Sequence, residues 1–146
     1  MKPDLIVIAH AGAARLLRRD PATAALEALD EVRRPTSVLE RVRVVPDVGR
    51  PLDPRRRRLR EFATVLARRI EAEMASGRFE RVALFAACPF LGELMRQLAR
   101  QTKQALRAVI DADISELPWD DTAHRVERDL QAADAEEAAR RHRAAA

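Results

Sequence analysis

The chain has 146 residues, enough for one domain with a single core. Its residues are 47% hydrophobic and 34% charged, which describes a globular chain and excludes a disordered one. Only 3% are aromatic, the net charge is +4 and there is one cysteine; these argue against stacking platforms for single-stranded nucleic acid and exclude an internal disulfide and a multi-cysteine zinc cage.

Asp4–His10 is a short apolar run rich in β-branched residues and predicts a first strand. Ala11-Gly12 offers a turn, because glycine tolerates positive φ. Ala14–Arg19 predicts the returning strand of a hairpin, with Leu16 and Leu17 available to the core. Asp20-Pro21 marks the next turn. Ala25–Arg33 carries Leu26, Leu29 and Val32 at a spacing that favours helix. The order of the later elements favours strand instead, so this segment is read as a third strand.

Pro35–Pro54 holds Pro35, Pro46, Gly49, Pro51 and Pro54 and predicts a long connection with a short extended piece at Val42–Val45. Connections of this length are often functional; the plainer reading, a surface excursion without a specific role, is preferred. Arg55–Ser76 predicts the clearest helix, with Leu59, Phe62, Ala63, Leu66, Ile70 and Met74 on one face. Asp53 can cap its start and Gly77 can close its end.

Val82–Ala87 is a continuous apolar run bounded by breakers, which predicts a strand buried on both faces. Cys88-Pro89 suits the first turn of a helix, where proline's missing N–H would be unpaired anyway. Leu91, Leu94, Met95 and Leu98 continue that helix. The turn is expected to aim free N–H groups beyond the sheet, where open α/β folds place ligands. Pro89, Phe90 and Leu91 are therefore the expected ligand- or anion-binding residues. Arg100–Lys103 leads into a last strand at Ala105–Ile110, ended by the polar turn residues Asp111, Asp113 and Ser115. From Thr122 the chain reads helical, with Val126 and Leu130 inward and Trp119 as a packing anchor. Residues 132–146 lack large apolar side chains. They predict a tail, helical or disordered, after a single domain of residues 1–131.

Strand, Pro89 helix, strand is a crossover unit, so those two strands should be parallel. The element order βββαβαβα predicts an α/β fold: a ribonuclease H-like mixed five-stranded sheet, antiparallel over its first three strands and then parallel, flanked by helices. The N-terminus shows no secretory pattern, and the apolar run Leu5–Ala9 is too short to span a bilayer. A cytoplasmic protein without a membrane span is expected.

The segment FERVALFAACPFLGELMRQL, followed by AVIDADISELP, resembles the bacterial host attachment proteins. Their pattern is a strand, an A-x-P-x-x-L-G-x-L turn and helix, and a strand ending in a polar turn. Here those positions read Ala87, Pro89, Leu91, Gly92 and Leu94, then Ala112, Asp113, Ile114 and Ser115. The start, LIVIAHAGAARLLRR, is similar to the family's opening hairpin. The resemblance implies a fold like the middle domain of archaeo-eukaryotic release factors, and a role connected with attachment to host cells. Three features depart from the pattern. His10 stands where Asp is common, Cys88 where a small residue or proline is usual, and the region before the first helix is Arg-rich.

Peptide release needs a Gly-Gly-Gln tip, and the glycines here are the isolated Gly12, Gly49, Gly77 and Gly92. Ribonuclease H chemistry needs several carboxylates around two Mg²⁺ ions. The strand ends offer His10 and Cys88 instead, and Glu61 on the first long helix is one carboxylate; no metal and no cofactor is expected. If the first and fourth strands lie side by side, His10 and Cys88 could meet as a nucleophilic Cys–His pair at the helix start. The plainer reading, a buried thiol and a partly exposed turn histidine, is preferred. Arg55, Arg56, Arg57, Arg58 and Arg60 form a positive run at a helix start, where the dipole disfavours cations. They could contact RNA or ribosome phosphates, although a solvated turn explains them more simply. His124 and His142 suggest no metal site.

These readings leave a preferred function, a non-enzymatic binding or adaptor protein, RNA- or translation-associated, with the ribosome, RNA or an unknown protein as partner. The alternative is a hydrolase or RNA-processing enzyme at His10 and Cys88. A homo-oligomeric, surface-associated factor is a third reading.

Overall fold

The computed structural model describes residues 1–34 and 53–145. Three strands come first: β1 (Asp4–Ala9), β2 (Ala13–Arg19) and β3 (Leu26–Arg33). They are followed by α1 (Pro54–Ala75), β4 (Val82–Ala86), α2 (Phe90–Gln97), α3 (Arg100–Gln104), β5 (Leu106–Asp111) and α4 (Trp119–Ala145). The strands form one five-stranded sheet in the order β3-β2-β1-β4-β5. The pairs β1–β2 and β2–β3 are antiparallel; β1–β4 and β4–β5 are parallel. This is the mixed sheet that the element order predicts.

Alternation along β1 decides the layers. Leu5, Val7 and Ala9 face one side, where they pack with Phe62, Leu66 and Ile70 of α1 and Phe90 and Leu94 of α2. Ile6 and Ile8 face the other side, against Val126 and Leu130 of α4. β4 divides in the same way, Val82, Leu84 and Ala86 to the first core and Ala83 and Phe85 to the second. Cover on both faces is why these two central strands read as unbroken apolar runs. β3 is a strand despite its helix-like spacing. It is an edge strand that needs little burial: Leu26 and Val32 touch the two cores while Leu29 stays 40% exposed. Pairing with β2 overrides its local propensity.

α1 starts with Pro54 after its cap Asp53, whose Oδ1 accepts the Arg55 N–H at 3.1 Å. Gly77, with φ of +77°, turns the chain away just past the C-cap Ser76. α4 is tied to the sheet through two largely buried arginines. Arg19 donates from Nε and Nη2 to Glu127 at 3.0 and 2.9 Å. Arg107 bonds Asp4 on β1 and reaches Asp134 on α4 with Nε at 3.2 Å and Nη2 at 2.6 Å.

Several expectations are corrected. A five-residue helix, α3, precedes β5; its best-buried side chain is Thr102, a position with no large apolar signal. Trp119 is 42% exposed at the first position of α4, so it is not a buried anchor. Of the two states expected for the tail, helical or disordered, α4 takes the helical one through residue 145, and Ala133 packs on the second core. Among the described residues, Gly77 is the glycine with positive φ, and Gly12 is not. A Cβ at Gly12 would lie 3.1 Å from Cε1 of His10, so a close approach makes glycine fit there. The extended piece expected at Val42–Val45 lies outside the described residues, as does the rest of its connection before Asp53.

Candidate functional site

β4 ends at Ala86, and the chain turns through Cys88 and Pro89 into α2. The peptide bond between these two residues is cis. Two of the turn's N–H groups are already paired. Cys88 N–H donates to Asp111 Oδ1 at 3.0 Å, and Leu91 N–H donates to the Ala87 carbonyl at 3.1 Å. Phe90 and Leu91 are buried, at 3% and 6% exposure. The Phe90 ring stacks on Phe62 with centroids 5.6 Å apart. Their side chains therefore hold the turn against α1, leaving Cys88 and Pro89 as the exposed part. Cys88 is not the buried thiol of the plainer reading.

That exposed part opens onto a groove of about 280 Å³, lined by Arg56, Leu59, Cys88, Pro89, Gly92, Glu93 and Arg96. Arg56 comes from the first turns of α1 and Arg96 from the last turn of α2. Glu93 bridges two arginines, Arg96 at 3.1 Å and Arg60 at 3.7 Å. Beyond the cap Asp53, the first turn of α1 contains no acidic residue. Arg55, Arg56 and Arg58 are exposed and Arg57 and Arg60 half-buried. Their charge adds to the positive end of the helix dipole rather than opposing it. An anion in this groove would relieve that repulsion.

His10 follows β1 on the opposite face of the sheet. Its Nδ1 accepts the Gly12 N–H at 3.0 Å, which leaves Nε2 to carry the ring proton. It lines a second groove of about 180 Å³ with Ile8, Ala13, Ala14, Arg15, Glu31 and Ser115. Arg15 donates to the Ser115 carbonyl at 3.2 Å and so joins β2 to the turn after β5. The carboxyl of nearby Asp113 is held below its usual range, chiefly by hydrogen bonds from the Ser115 hydroxyl and N–H, with a smaller effect from His10.

β1 and β4 do end side by side, with Ile8 opposite Phe85. Yet His10 continues the face of Ile6 and Ile8, and the two residues line different grooves. What does come together is Arg56 with Cys88 and Pro89, signals more than thirty positions apart in the sequence. Glu93, Arg96 and Asp111 were not foreseen as part of the site. Glu93 and Arg96 sit three apart on α2, a spacing that could have announced the pair. Among the described residues, no group of three or more His, Cys, Asp or Glu side chains could hold a metal ion. No described helix is long and apolar enough to cross a membrane.

The family described as "Protein required for attachment to host cells" matches residues 5–126. The chain belongs to this host-attachment family. The match takes in β1 through the first part of α4, and with it both grooves. No curated protein matches this host-attachment chain. Among solved structures, an "Archaeal protein" is similar at a TM-score of 0.49 and 16% identity, over 97% of this chain and 40% of that one. The "Structural Study of the Aquifex aeolicus PPX-GPPA enzyme" is similar at a TM-score of 0.40 and 17% identity, over 75% of this chain and 36% of that one. The host-attachment chain thus spans less than half the length of either structure.

Proposed function

We propose that this host-attachment family member is a non-enzymatic adaptor that binds RNA through phosphate contacts at the groove between α1 and α2. The observation that carries this reading is the meeting of Arg56, Arg96 and the exposed Cys88-Pro89 turn around one cavity. Arg55 and Arg57 flank Arg56 in the same helix turn, where helix stability disfavours them. The scarcity of aromatic residues fits backbone contact rather than base stacking. In this reading the protein is bacterial, cytoplasmic and release-factor-like in ancestry, and its partner is translation-associated RNA or the ribosome. The resemblance of the strand–turn–helix unit supports that part.

The test is retention of purified tRNA and ribosomes across a salt series. Binding should weaken with salt, and the triple variant Arg55→Ser, Arg56→Ser, Arg57→Ser should reduce the slope of log K against log salt by about 2. Retention that is insensitive to salt and to the triple variant sinks the proposal. The alternative, a hydrolase with Cys88 as nucleophile, draws on the exposure of that thiol beside two guanidinium groups. It has to work without His10 in the same groove. Turnover of a phosphodiester or ester substrate that disappears in Cys88→Ser would favour it.

A further inference from the structure

The two edges of the sheet are built differently. β3 carries Glu27, Asp30, Glu31 and Arg33 along its length, and β3 is mostly exposed. Such charges are how proteins keep an edge strand from pairing with another chain. β5, the opposite edge, has Ala108, Val109 and Ile110 at its middle and neither lysine nor proline. Val109 is 38% exposed. Among the described residues, no strand lies on its outer side. Beside this edge runs a groove of about 480 Å³, lined by β5 residues 106–110 on one wall and by α4 on the other.

We infer that this edge is a two-fold interface, at which β5 of one copy pairs antiparallel with β5 of a second copy of this chain. The sequence of β5 suits its own inversion. An antiparallel pair centred on Val109 sets Ala108 opposite Ile110, a small side chain against a large one on the face that α4 covers. Arg107 keeps its bonds to Asp4 and Asp134, and Asp111 keeps the Cys88 N–H, because neither uses the outer backbone edge. The α4 wall suits a two-fold as well. Its lining residues include Asp129, Glu136, Glu137 and Arg140, of both signs, with Ala132 and Ala133 between them. Antiparallel copies of α4 bring Arg140 toward Asp129, and the alanines leave room for the second copy. A partner of one charge sign would find repulsion somewhere along this mixed wall; a second copy finds complement. This face is distinct from the arginine groove, so the inference stands apart from RNA binding.

The experiment is light scattering coupled to size-exclusion chromatography, on the full chain over a range of concentrations. The expected mass is twice the 16.4 kDa of one chain. Val109→Lys places two ammonium groups opposite one another at the axis and should weaken the dimer at least tenfold. Val109→Pro, at the same place, removes an N–H from the edge and should do the same. Circular dichroism keeps misfolding apart from dissociation. Ala132→Glu, on the helix wall and away from the strand, gives a third variant whose fold does not depend on β5. A protein that is monomeric at all concentrations overturns the inference. So does a dimer that none of the three folded variants weakens.

Discussion

Arg19 at the end of β2 grips Glu127 of α4 through two guanidinium nitrogens, at 3.0 and 2.9 Å. The Arg19 side chain is 7% exposed and also lies 3.9 Å from Asp4. Removing one member of a buried pair leaves the other without its partner, which costs more than the pair is worth. Arg19→Met should therefore destabilise the protein by about 2–3 kcal/mol. Arg18→Met, one residue earlier, breaks an exposed contact with Glu27 at 3.6 Å and should change stability by less than about 0.5 kcal/mol. Urea unfolding of the two variants checks the contrast.

Acid should loosen the same docked helix. The Asp134 carboxyl is held below the usual carboxylate range, first by its hydrogen bonds from Arg107 and then by the charges of Arg107, Arg81 and Arg19. A depressed value means that the folded state binds its proton less readily than the unfolded chain. The stabilisation is thus full above the ordinary value of 3.8 and is lost as pH falls through the lower folded value. The side chain is 44% exposed, so solvent screens the effect and keeps it small. Asp134→Asn should lower the thermal midpoint at neutral pH and flatten its fall below about pH 4.

Two glycine substitutions should act in opposite directions. Neither Gly77 nor Gly92 has a heavy atom within 4 Å of a built Cβ, so packing decides neither case. Gly77 has a φ of +77°, and Gly77→Ala should cost about 1 kcal/mol. Gly92 lies inside α2, where alanine is the better helix former. Gly92→Ala should add about 0.5–1 kcal/mol. Paired thermal melts give the sign directly.

Cys88 is exposed at the mouth of the arginine groove. Iodoacetamide should modify one thiol per chain under native conditions, without denaturant. RNA added beforehand should slow that labelling if it occupies the groove. A thiol labelled only after unfolding would contradict its position.

Much of the fold was legible because β1 and β4 are covered on both faces, and that cover writes itself as the runs LIVIA and VALFA. Capping by Asp53 and closure at Gly77 were equally plain, since each rests on a local geometric need. β3 was legible only through topology, because a sparsely buried edge strand imposes no apolar alternation. α3 escaped notice because one small buried side chain, Thr102, fixes it. The candidate site was legible in fragments. Arg56 and Cys88 each stood out, but their meeting depends on how α1 lies across α2, with Phe62 stacked on Phe90. No spacing rule carries that information. The pairing of His10 with Cys88 misled because adjacent strand ends do not fix which face the next side chain takes.

The bonds of Asp4 to Arg107, of Arg19 to Glu127 and of Arg107 to Asp134 bear on how the protein is made. Synthesis delivers the first strands long before the last helix. Until residues 126–134 leave the ribosome, Ile6, Ile8 and Leu17 lack their cover and Arg19 lacks its carboxylate. The unfinished chain is therefore an adhesive one, and a messenger cut short before Glu127 would yield a product for chaperones and proteases rather than a smaller working protein.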